Sequence, residues 1–283
     1  MAPARTPRFS VSPRVVIAAT ALALGFWAES AAAALVAHWT FDEGAGTTVF
    51  DASGNGNHLA FQGSGNAWSA GGAFGGALDL GANGSVLART GTVHNATIDH
   101  LNALTSDAVT ITFWARPNAE SQGSSPFWVS DSNTSSGNRI FQSHIEWTNG
   151  RIYWDADWGD GSNQRLQTVG GTVADTLHHY AFTFDGGSGA MAIYRDGALL
   201  TSGTRAVEAQ LAWGDIRNFE IGALSFASYW GGGRIDDFGL WDEALSATEI
   251  GEVHAFGVQA VPEPGSALLL CLGLAGLSAL RRR

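Results

Sequence analysis

The sequence predicts an all-β fold: one two-sheet antiparallel sandwich, with short N- and C-terminal apolar helices lying outside the domain. Three observations point there. With 45% hydrophobic and 11% aromatic residues the chain is too apolar to be disordered, and with 37 Gly it is too interrupted for a helical bundle. Several segments alternate apolar and polar residues with a period of two. Asn-Gly and Asp-Gly pairs stand between such segments, where tight hairpin turns need positive φ.

Residues 1–33 read as a signal peptide. Arg5, Arg8 and Arg14 precede Val15–Trp27, an uncharged run, and Ala31 to Ala34 supply small residues, so cleavage is expected near Ala33. The domain is expected over 34–258. Val109 to Arg116 alternates with Val109, Ile111 and Phe113 on one face, and Leu177 to Phe184 places Tyr180, Phe182 and Phe184 together. Asn149-Gly150 separates Ile145–Trp147 from Ile152–Trp154, and Asp196-Gly197 separates Ala192–Tyr194 from Ala198–Leu200, which predicts two hairpins. Ser246 with Glu249 forms a capping box ahead of Ile250, Val253 and Phe256, which predicts one helix outside the sheets.

Residues 259–283 form the last segment. Pro262, Glu263 and Pro264 are followed by an uncharged run from Ala267 to Leu280 and then by Arg281, Arg282 and Arg283. Fourteen helical residues span about 21 Å, short of the ~30 Å hydrocarbon core, and the arginines would stay cytoplasmic. This arrangement resembles the PEP-CTERM sorting signal of Gram-negative bacteria. The resemblance implies a transient transmembrane helix in the inner membrane and processing by an exosortase-type enzyme. Its product would be an exported protein of the cell envelope, cell surface or extracellular matrix, among exopolysaccharide.

Charge and cysteine exclude other classes. Every basic residue is Arg, and between the two ends nine Arg face 24 acids, a net charge of −15. Such a surface repels nucleic acid and attracts cations, so no nucleic-acid partner is expected. The single Cys271 falls in the tail, which leaves no disulfide framework or thiolate metal site in the domain.

Five motifs stand in order along the middle of the chain: His38–Gly44, Asp51–Asn57, His178–Gly186, Tyr194–Gly197, and Gly233–Trp241 followed by Ala244-Leu245-Ser246. Together they resemble a LamG-like jellyroll of the concanavalin A-like lectin and glucanase superfamily. That fold hosts lectins, adhesins, glycosidases and inert spacers, so the resemblance speaks to architecture rather than activity.

Two candidate sites follow. Asp42, Asp51, Asn55 and Asn57 bring side-chain oxygens together among turn-forming glycines, as a calcium ion requires. The resemblance places this loop against the final strand, where Asp236 or Asp237 could complete the shell. The same residues also suit an Asx-turn network without metal. The second candidate lies in and beside one hairpin, where His144, Trp147, Trp154, Asp155 and Trp158 combine indoles with carboxylates, as a shallow carbohydrate site does. Trp154 taken singly reads rather as ordinary core, and Trp230 is the other candidate for an exposed aromatic.

Catalysis is not expected. The chain has no Glu-x-Asp-x-Glu strand, no Gly-x-Ser-x-Gly elbow and no His-Glu-x-x-His helix. Glu146 is alone on its strand, Asp155 and Asp157 adjoin on one face, and the His178-His179 pair reads as structural. The expectation is a surface protein that binds polysaccharide or matrix glycan; the alternatives are a glycoside hydrolase and a purely structural matrix component.

Overall fold

A computed structural model describes residues 34–81, 83–118, 125–132, 139–145, 147–156, 165–171, 174–205, 213–222 and 232–261. In chain order the strands are β1 (Leu35–Trp39), β2 (Thr48–Val49), β3 (Leu59–Ser64), β4 (Ala67–Ser69), β5 (Ala77–Leu80), β6 (Asn83–Arg89), β7 (Ala108–Pro117) and β8 (Phe127–Ser130). They continue as β9 (Arg139–His144), β10 (Arg151–Ala156), β11 (Arg165–Val169), β12 (His178–Asp185), β13 (Ala190–Arg195), β14 (Ala198–Thr204), β15 (Asn218–Ile221) and β16 (Gly233–Trp241). Two helices, α1 (Asn95–Asn102) and α2 (Ala247–Phe256), and 3-10 turns at Trp213–Asp215 and Val258–Ala260 complete the described elements.

The strands form two antiparallel sheets. The first runs β14-β13-β12-β7-β16-β5-β4, with β1 also paired to β16; the second runs β11-β10-β9-β8-β15-β6-β3-β2. Period-two alternation decides what lies between them. Val109, Ile111, Phe113 and Ala115 of β7 and Tyr180, Phe182 and Phe184 of β12 point into the shared core, as their spacing predicts. Phe113 stacks on Phe238 of β16 at 5.4 Å, and Phe127 from the second sheet meets Phe113 edge-on at 6.0 Å. Aromatic rings thus join the two layers.

The Asp196-Gly197 hairpin forms as expected, with φ of 52° and 75° and Arg195 paired with Ala198. The Asn149-Gly150 hairpin is longer than the sequence suggests. Strand β9 ends at His144, and a separate turn closes with Gly150 N–H donating to the Trp147 carbonyl.

Helix α2 lies outside the sandwich, on the outer face of the first sheet. Its capping box is complete: Glu249 N–H donates to Ser246 Oγ, and Ser246 N–H donates to Glu249 Oε2 at 2.7 Å. Ile250 and Val253 pack with Ala181, Tyr194, Trp241, Leu245, Val258 and Val261 in a second apolar cluster. Phe256, expected on the same stripe, is 74% exposed, because the helix ends there at Gly257 with φ 86°. Leu35 packs against the same cluster.

Candidate functional site on the outer face of the second sheet

On the second sheet the residues that alternate with the core build a continuous polar row. Glu220 of β15 stands opposite Trp128 of β8, Trp128 opposite Gln142 of β9, Gln142 opposite Asp155 of β10, and Asp155 opposite Arg165 of β11. His144 and Tyr153 pair one step along the same face. Five strands therefore aim polar side chains at one side, yet Glu220, Trp128, Gln142, His144 and Asp155 are all buried.

Burial on this scale requires partners. Asp155 has them: Arg165 grips both its oxygens at 2.8 Å, Gln142 Nε2 donates to Oδ2 at 2.7 Å, and Arg139 lies 3.8 Å away. A bidentate guanidinium on a buried carboxylate fixes its orientation. Because the Gln142 amide nitrogen faces Asp155, it can only donate to His144 Nε2 at 3.2 Å. His144 Nδ1 then carries the proton and donates to Ser125 Oγ at 2.8 Å. Trp147 lies half-buried over His144 with ring centroids 4.2 Å apart, and the Arg165 guanidinium caps the Tyr153 ring at 4.5 Å.

At the other end of the row Glu220 accepts from Ser85 Oγ at 2.7 Å, and Asn218 links it to Arg89. Burial pushes the Glu220 carboxyl above the usual range, opposed by Ser85, Arg89 and Asn218. Between the two ends the pairing is incomplete. Trp128 Nε1 and Gln142 Oε1, a donor and an acceptor on opposed residues, are buried and have no hydrogen-bond partner. Buried polar atoms are normally paired, so these two stand as exceptions in an otherwise satisfied row.

Residues 89–251 match the concanavalin A-like lectin/glucanases superfamily, more than half of the chain. The chain belongs to that superfamily. The concanavalin A-like domain is followed by a match to the PEP-CTERM protein-sorting motif over 260–283. That motif marks export and a cell-surface or extracellular location in bacteria, and it implies exosortase processing. Among curated proteins, none matches the chain.

Solved structures share the jellyroll. Domain 4 of AbnA, a GH43 extracellular arabinanase from Geobacillus stearothermophilus in complex with arabinotriose, superposes with a TM-score of 0.57 at 18% identity, covering 79% of this chain and 99% of that one. The binding domain of botulinum neurotoxin serotype G gives 0.57 at 15% identity over 78% of this chain and 50% of its own. The binding domain of neurotoxin DC in complex with SialylT also gives 0.57, at 12% identity, with 78% and 51% covered. This chain therefore spans about half the length of the neurotoxin domains, and at these identities the likeness is one of fold.

Of the expected hairpin site, the concanavalin A-like domain brings together His144, Trp147 and Asp155. Trp154 is corrected: it points the other way, fully buried between the sheets, with its indole N–H donating to the Thr183 carbonyl at 2.9 Å. Trp158, Trp230, Glu146 and Asp157 lie outside the described residues, as do Pro262, Glu263, Pro264, Arg281, Arg282 and Arg283 of the sorting signal. Sequence reasoning missed Trp128, Gln142 and Glu220. The signal was present in Asn218-Phe219-Glu220-Ile221, where one Glu alternates with two apolar residues on a short strand.

The six expected calcium ligands do not converge. Asp51 is filled by hydrogen-bond donors: His38 N–H and Ser53 N–H on Oδ1, and Ser53 Oγ and Asn57 N–H on Oδ2. Asn55 and Asn57 turn their amide nitrogens to carbonyls of β1. Asp237 pairs with His38 at 2.7 Å and accepts from Val258 N–H, Asp236 accepts from Ala73 and Phe74 N–H, and Asp42 accepts from Gly76 N–H. Among the described residues no group of three or more His, Cys, Asp or Glu is arranged to hold a metal ion. These side chains are engaged within the chain in the manner of an Asx-turn network, in which Asp51 organises its own loop.

Proposed function

We propose that this exported domain binds a polysaccharide or matrix glycan without catalysis, on the outer face of its second sheet. The observation that carries the reading is the unpaired donor and acceptor at Trp128 and Gln142, flanked by a row whose other members are fixed. A sugar hydroxyl both donates and accepts, so one hydroxyl satisfies both atoms. Trp147, partly exposed over His144, supplies aromatic surface on the same face. The absence of catalysis is supported by spacing. Glu220 and Asp155 stand three strands apart, about 14 Å at the usual strand separation. Glycosidase pairs stand roughly 5–9.5 Å apart. Asp155 is moreover held by two arginines.

The test is binding of the full chain to a panel of soluble polysaccharides, with the wild type and Trp128→Phe, which removes the indole N–H and keeps an aromatic ring. About a fivefold loss of affinity, the worth of one hydrogen bond, is expected from the folded variant, along with a modest fall in melting temperature from the lost ring volume. Release of reducing ends that Glu220→Gln or Asp155→Asn abolishes would replace this reading with hydrolysis. Absence of saturable binding to the panel would leave the matrix-component reading in its place.

A further inference from the structure

The outer face of the first sheet carries a second row of buried polar side chains, under α2. Asp236 stands opposite Trp114, and Trp114 opposite His179. All of the polar atoms left over in this row are unpaired: Trp114 Nε1, both ring nitrogens of His179, and Asp236 Oδ1. His179 is 0% exposed. What covers it is His254 of α2, whose ring lies 5.6 Å from His179 and stacks on Trp114 at 5.3 Å. The groups facing His179 are thus Trp114 from β7, His254 from α2 and Asp196 from the β13–β14 turn. Asp196 is already engaged, accepting from the His179 main-chain N–H and pairing with His178 at 2.7 Å. Asp236, beyond Trp114, stays in the grip of Ala73 and Phe74 N–H from the loop between β4 and β5, which α2 does not supply.

A fully buried imidazole whose two nitrogens lack hydrogen-bond partners, with a second imidazole against it, has neither acceptor nor solvent to stabilise the charge of a second ring proton while α2 is docked. Burial, then the proximity of His254, hold His179 down to about 3, with Asp196 opposing. Once α2 lifts, water reaches the ring and its affinity for a proton returns toward the ordinary value near 6.5. The helix is a separable element. It is secured by the small cluster around Ile250 and Val253, by its cap, and by the Val258 N–H bond to Asp237, and none of these belongs to the main core. It also leads directly into the sorting motif, whose match begins at residue 260, inside the final 3-10 turn.

We propose that α2 and the 3-10 turn after it form an acid-released latch, in which proton uptake by His179 favours the undocked helix while the sandwich stays folded. The latch sets how much free chain separates the domain from its sorting tail. It is independent of the ligand reading above. Hydrogen exchange of the full chain in detergent, read by mass spectrometry and corrected for intrinsic rates, tests it. Exchange over 247–260 is expected to rise about tenfold per pH unit between pH 6 and pH 4, while 108–117 stays protected. His179→Leu should abolish the rise. If that variant does not fold, Ser246→Ala should raise exchange of the helix several-fold at every pH with the wild-type slope. A helix that shows no selective rise, or one that exchanges in step with β7, overturns the latch.

Discussion

Two buried side chains on one row set opposite pH demands. Asp236 is raised to about 6, chiefly by burial, against the hydrogen bonds from Phe74 and Ala73. Its folded-state value lies above its unfolded one, so its contribution is fullest below about pH 4 and is lost as pH rises through 6. His179 is depressed to about 3, so its contribution is present above 6.5 and is lost as pH falls below that. Asp236→Asn, which can still accept from both main-chain donors, is expected to stabilise the protein at pH 8 by roughly 1–3 kcal/mol and to leave it little changed at pH 4. Chemical denaturation at the two pH values measures this. On the second sheet, Arg165→Ala leaves Asp155 buried with weaker compensation, and a loss of roughly 3 kcal/mol is expected in the same assay.

At the level of elements, stability depends on turns that only particular residues can make. Gly197 has φ 75°, and a Cβ there would meet the His254 ring at 3.1 Å, so Gly197→Ala combines strain in the β13–β14 hairpin with a push against α2. Its melting temperature is expected to fall by several degrees. Legibility also differed by element. Strands β7 and β12 were visible because one face is wholly apolar, and the helix cap was visible because Ser246 and Glu249 are a local signal. The polar row was not, because Glu220, Trp128 and Gln142 come from three strands and meet only through sheet register. Trp154 was ambiguous for a related reason: its neighbours Tyr153 and Asp155 face the opposite side, and periodicity does not say which side is interior.

For the molecule as a whole, an Asx network joins the first and last strands. His38 of β1 reaches Asp237 of β16, and Asp51 ties its loop back to the main chain of His38. These are hydrogen bonds within the chain, so the melting temperature is expected to be the same with and without a calcium chelator; a fall on chelation would require a cation at this join. No reading of spacing alone could separate the two outcomes, since Asx turns and calcium loops draw on the same residue types.

One feature of the topology bears on how the exported domain would stand at a surface. Leu35 and Val261, near the two ends of the domain, share the apolar cluster on the outer face of the first sheet, whereas Trp128 and Gln142 lie on the outer face of the second. The described chain thus leaves the domain beside the outer face of the first sheet. On the reading proposed above, the binding face is the one turned away from that exit.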